Sequence, residues 1–295
     1  MNAVRESRPG SPSDVELPPF STAVARSVWL RELAVLAVVP LVLVGTYALP
    51  TETKRALAFA YTDPTVTTAY VSHFVHLRWD HLLANLLGYG LVVGATYLIS
   101  VLADRRRLFW TMFATVVIAG PFVLSGLNLA VPREAIGYGF SGLNMAFFGV
   151  LPVALFSYVR PEFVSELPAR YLPVTFFLVV AIISGFALPP SDATLAIGAG
   201  SGLVAVGYGG FLLARERRAR ERVEMPERGP RPFGYVELAV AGGVLLVGYP
   251  LVGFPSELVA ANRVVNLYVH FLGFALTFVA AFVGEVTRVL AESEA

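Results

Sequence analysis

The sequence predicts an all-α, polytopic transmembrane helical bundle of about eight helices, and three observations carry that prediction. Hydrophobic residues make up 56% of the 295 and charged residues only 15%, where a soluble domain carries about 25% charged residues. Mean hydropathy is +0.67. Apolar runs long enough to cross a bilayer recur along the chain, and because hydrocarbon offers backbone groups no partner, each must close its own hydrogen bonds as a helix.

The runs fall near 28–49, 80–103, 108–130, 138–159, 171–189, 193–214, 235–253 and 264–290. Paired prolines at Pro189-Pro190 end one helix, and Asp192 is placed to cap the next. Other boundaries are charged: Asp104 to Arg107, Arg160 to Arg170, and Arg215 to Arg231. Residues 1–27, polar and rich in Pro and Ser, contain no signal-peptide core and read as a disordered cytoplasmic tail. The transmembrane domain then spans 28–290, and 291–295 form a cytoplasmic C-terminus.

Orientation follows from the bias of Lys and Arg towards the cytoplasm. With the N-terminus inside, only Lys54, Arg55, Arg78, Arg133 and Arg263 of the 22 basic residues fall outside. A net charge of +1 gives no basis for nucleic-acid binding. The absence of cysteine excludes disulfides, thiolate zinc sites and a cysteine nucleophile.

All four histidines, His73, His76, His81 and His270, fall near the outer ends of expected helices. Histidine in a membrane segment is costly unless it meets a partner or a water-filled cavity; the plainer alternative is a residue at the headgroup level. His81 and Asn85 stand four apart, so one helical face presents both. Such a pair either stabilises an oxyanion or bonds helix to helix. In Gly137-Tyr138-Gly139-Phe140-Ser141-Gly142, glycines flank a serine where a helix opens, with free N–H groups and the positive end of the helix dipole. This is either a nucleophile beside an anion site or a glycine-rich turn with a capping serine. In the last run, His270, Gly273 and Thr277 share a face. Gly142, Ala146 and Gly149 share one on the serine helix, so two small-residue stripes can bring these helices close. A histidine base would then reach a serine hydroxyl, the arrangement that activates serine for attack on an amide.

Together these residues resemble the rhomboid family of intramembrane serine proteases. Rhomboids carry a His-x-x-x-Asn pair on their second helix, often with another histidine five residues earlier, and His76, His81 and Asn85 hold that spacing. The family's Gly-x-Ser-Gly opening the fourth helix is matched by Gly139, Ser141 and Gly142. Its base histidine followed by Gly after three residues is matched by His270 and Gly273. The resemblance implies a rhomboid-like core and peptide hydrolysis by a dyad, with Ser141 as nucleophile and His270 as base. His81, Asn85 and the Ser141 N–H would bind the oxyanion, and no metal or other cofactor is needed. The implied partners are transmembrane segments of other proteins within a lipid bilayer.

The chain departs from the family in having three helices rather than one between the serine and histidine helices. Met145 stands where an aromatic often stacks on the base, Thr277 replaces a glycine, and the first outer loop lacks a Trp-Arg pair. Ser201, in Gly198-Ala199-Gly200-Ser201-Gly202, is a rival nucleophile with only one helix between its own and that of His270, but it lies well inside its helix, where N–H groups are already used. The other readings are an inactive rhomboid-like protein that binds transmembrane helices, and a small-solute transporter.

Overall fold

The apolar runs are helices in the computed structural model, which describes residues 17–130, 134–163, 169–188, 190–220, 233–253 and 267–293. In chain order the helices are α1 (Phe20–Ser27), α2 (Leu30–Tyr47), α3 (Thr51–Ala56), α4 (Val66–Val71), α5 (Trp79–Leu102), α6 (Arg106–Ile118) and α7 (Gly120–Asn128). They continue with α8 (Ser141–Phe163), α9 (Leu172–Ile182), α10 (Asp192–Arg220), α11 (Tyr235–Gly253) and α12 (Leu267–Ser293). Among the described residues, seven helices are each long and apolar enough to cross a membrane. The pair α6 and α7, bent by 50°, makes an eighth span if taken together. The protein is an all-α polytopic helical bundle.

Two local differences from the sequence reading have physical causes. The run 108–130, expected as one helix, breaks because Pro121 opens α7 and cannot extend α6 through its own position. Residues 20–27, expected in a disordered tail, form α1 because they have somewhere to pack. The Phe20 ring meets Tyr235 edge-on at 5.4 Å, and Tyr235 donates its hydroxyl to Pro18 O at 3.1 Å. The rest of that tail, 1–16, lies outside the described residues, as do 294–295, whereas 291–293 continue α12.

The centre of the bundle is α8. Of its membrane-length window 94% is buried, against 50% for α5 and less for every other candidate span. Helices α5, α6, α11 and α12 surround it; α9 leans on α8, α11 and α12, while α10 packs on α9 and the π-turn Ile183–Ala187 that ends it. The hairpin of α9 and α10 is thus accommodated at the periphery.

The closest packing joins α8 to α12, where the two small-residue stripes meet. A Cβ on Gly149 would run into the Phe274 carbonyl and the Thr277 side chain, and one on Gly273 into the Gly142 carbonyl. The Thr277 hydroxyl is shared between Ala146 O across the interface and Gly273 O in its own helix. Small residues let backbones approach in a medium that supplies no hydrophobic force between helices.

At the bundle end where α5 finishes and α6 begins, buried carboxylates tie helices together. Glu32 of α2 receives Tyr97 Oη (2.6 Å), Trp110 Nε1 (2.8 Å) and the Arg106 guanidinium. Glu285 of α12 receives Arg105 (3.1 Å) and Arg288 (2.7 Å). Removing one partner of such a buried pair costs about 3–5 kcal/mol, so this end is firmly set and the other is left for a cavity.

Candidate active site

At that other end, the loop before α8 is held by short elements from the first half of the chain. Strands Phe59–Ala60 and Ile136–Gly137 pair antiparallel, with Phe59 opposite Gly137. The Gly139 N–H donates to Ser72 O at 3.0 Å. Gly139 has φ +107°, a conformation open to glycine, and the His81 ring lies where its Cβ would be. The first glycine of the serine motif is therefore required twice, by the turn and by the histidine packed on it.

Ser141 is the first residue of α8. The helical ladder begins with the Asn144 N–H donating to Phe140 O at 2.9 Å. The amides of Ser141, Gly142 and Leu143 precede it, at the positive end of the helix dipole. Beside them, Ser141 Oγ lies 2.7 Å from His270 Nε2. The other ring nitrogen, His270 Nδ1, lies 2.8 Å from the Gly253 carbonyl at the end of α11. A carbonyl only accepts, so Nδ1 carries the proton, Nε2 presents its lone pair, and the Ser141 hydroxyl donates to it.

These groups open on a cavity of about 930 Å³, whose walls include Ser141, His270, His81, Gly139 and Gly142. Arg55, Arg78, Asp80 and Glu134 add charged groups to it. Among the described residues, no three His, Asp or Glu side chains are grouped so as to hold a metal ion. The remaining residues singled out in the sequence are placed as follows. Gly273 lies beneath the site, against the Gly142 carbonyl. Ser201 sits in the middle of α10 on the peripheral hairpin and is not in the cavity wall.

Asn85 is close by but is turned away from the expected oxyanion position. It is buried, its Nδ2 donates to His76 Nε2 (3.0 Å) and to His81 O (3.0 Å), and its Oδ1 accepts from Asn144 Nδ2 at 3.3 Å. Both its amide hydrogens are thus engaged within the wall. His76 Nδ1 donates to Phe74 O (3.3 Å), leaving Nε2 to accept from Asn85 and, at 3.4 Å, from the Phe140 N–H. His76 and Asn85 together therefore brace the residue before Ser141. No protein-family model, curated protein or solved structure matches this chain. What the site can do follows from its own side chains.

Three contributors went unread in the sequence. The Gly253 carbonyl belongs to the backbone and leaves no mark in residue type. Asn144 was visible as a polar residue three after Ser141. His73, for which a place at the headgroup level was the plainer alternative, is buried, with Nε2 3.0 Å from Ser125 Oγ, itself 2.8 Å from Ala69 O. Burial pushes His73 down to about 4, and burial together with neighbouring His81 pushes His76 down to about 3. Both lie below the ordinary value near 6.5, so between those limits the unfolded chain binds more protons and stability falls as pH falls. The thermal midpoint of the wild type is expected to drop steadily as pH is lowered from about 6.5, and the drop should be shallower in His76→Gln. A midpoint insensitive to acid would contradict the neutral, accepting His76.

Proposed function

We propose that the protein is an intramembrane serine endopeptidase of rhomboid type that cleaves transmembrane segments of other membrane proteins. The observation that carries this reading is the hydrogen bond from Ser141 to His270 Nε2, made across α8 and α12 by a histidine whose tautomer is already set. In the proposed reaction Ser141 Oγ attacks the scissile carbonyl carbon while its proton passes to His270 Nε2. The carbon–nitrogen bond then breaks as that proton moves to the departing amine. Water, deprotonated by His270, hydrolyses the acyl-enzyme and regenerates Ser141. Charge on the carbonyl oxygen is met by the Ser141 amide and the His81 ring, each worth about 3 kcal/mol by comparison with oxyanion donors elsewhere. Asn85 serves as a positioning residue through His76. We place the protein in the cell membrane with both termini cytoplasmic, on the Lys and Arg bias, so the cavity opens outward.

A fluorophosphonate probe is expected to label the wild type and Ser201→Ala but not Ser141→Ala. Labelling that survives Ser141→Ala and vanishes in Ser201→Ala would move the nucleophile to α10. A second comparison separates the roles in the wall. His81→Ala is expected to cost on the order of 10²-fold in turnover. Asn85→Ala should cost less than His270→Ala and should also lower the thermal midpoint, because it leaves His76 without its side-chain donor. Complete loss in Asn85→Ala with an unchanged midpoint would restore Asn85 to the oxyanion itself.

A further inference from the structure

We infer that the Gly253 carbonyl is the third member of the proposed relay, so that the seating of α11 decides whether His270 can act as a base. The inference rests on the Ser141 and His270 reading and deepens it. Gly253 O accepts from the His270 Nδ1–H, which it meets at 2.8 Å. The carbonyl oxygen carries partial negative charge, and an imidazolium formed at His270 during attack would lie against it and strengthen the bond. A backbone carbonyl thus occupies the place that a carboxylate takes in a soluble triad.

Shape holds α11 in that place. Gly242 passes so close to Leu155 and Ile99 that a Cβ there would press on both, and Tyr249 reaches over Gly88 on α5 with its hydroxyl. A Cβ on Gly253 would stand 2.8 Å from Met145 Sδ. The outward face of α11, with Val240, Val244, Val247 and Val252, is exposed. Only 17% of its membrane-length window is buried. The α8–α12 contact is built separately, from Gly149, Gly273 and Thr277. A shift of α11 by about 1 Å therefore takes Gly253 O beyond hydrogen-bonding range while Ser141 and His270 stay together. The Nδ1–H form then loses this acceptor and the balance shifts towards the Nε2–H tautomer, which has no lone pair for the serine proton. Met145 fills the space that lets Gly253 come near, which gives this departure from the family pattern a role. Hydrolysis proceeds only while α11 is seated.

The test is ¹⁵N NMR of the full-length protein in lipid nanodiscs with labelled histidine, four residues in all, the His270 signals being assigned by their loss in His270→Ala. The wild type at neutral pH is expected to show His270 protonated at Nδ1 and bare at Nε2. Gly253→Val, pressed against Met145, should populate the other tautomer and slow fluorophosphonate labelling by about 10-fold to 100-fold; adding Met145→Ala should restore both. A wild-type His270 in the Nε2–H form overturns the inference without any variant, as does Gly253→Val with tautomer and labelling unchanged. The expected tautomers in a protein that neither labels nor cleaves would refute the protease reading and leave the α11 contact standing. Labelling with the opposite tautomer would refute this inference alone.

Discussion

Replacing His270 by alanine is expected to lower cleavage of a tagged transmembrane substrate by on the order of 10⁴- to 10⁶-fold, the scale seen when a base is removed from a serine protease. No neighbour is free to substitute. His76 Nε2 already accepts from Asn85 and from the Phe140 amide, and the His81 ring is packed on Gly139. Ser141→Ala should cost as much, and the double variant no more than either single one, because two groups acting as a unit are lost together. Cleavage rates in proteoliposomes, with thermal midpoints to establish folding, measure this. Near-wild-type cleavage by folded His270→Ala would remove the dyad from the mechanism.

The spans were legible because hydrocarbon imposes a length and a composition that any chain must display. Among the described residues, each of the eight apolar runs contains a helix or, at 108–130, a bent pair of helices, the α9–α10 hairpin included. The turns inside them were harder to read. Pro121 sits in an otherwise apolar run, and hydropathy does not register that proline interrupts the ladder at that point. Helix α1 was missed for the opposite reason: it is short, and its helicity depends on Phe20 reaching Tyr235 more than 200 residues away.

At the site, residue type and helical spacing were enough to bring Ser141 and His270 together. Stripes at spacings of three, four and seven define which faces meet, and facing stripes at the starts of two helices fix the height of both side chains. Orientation within the wall was not available in this way. Whether Asn85 faces the cavity or His76 depends on Asn144 taking its oxygen and His76 taking its hydrogen, contacts between residues on different elements. Periodicity also carried no information about Gly253, whose contribution is a carbonyl common to every residue.

The second large effect is expected at the α8–α12 contact, where alanine at Gly273 or Gly149 should unseat the site as well as the fold. In each case the new Cβ meets backbone, Gly142 O for one and Phe274 O for the other, and backbone cannot rotate aside as a side chain can. The helices must separate. Overpacking of this kind costs about 1–3 kcal/mol, and the same separation stretches the Ser141–His270 bond, now 2.7 Å, so labelling by fluorophosphonate should fall even in the protein that remains folded. Gly94 on α5 and Gly207 on α10 have open space at the Cβ position. There the same substitution removes a flexible residue from a helix and is expected to stabilise by up to about 1 kcal/mol. Thermal midpoints and labelling rates of the four alanine variants should therefore divide by position, with Gly149→Ala and Gly273→Ala low on both measures and Gly94→Ala and Gly207→Ala at or above wild type. Equal behaviour of all four would mean that the small-residue stripes do not hold α8 against α12.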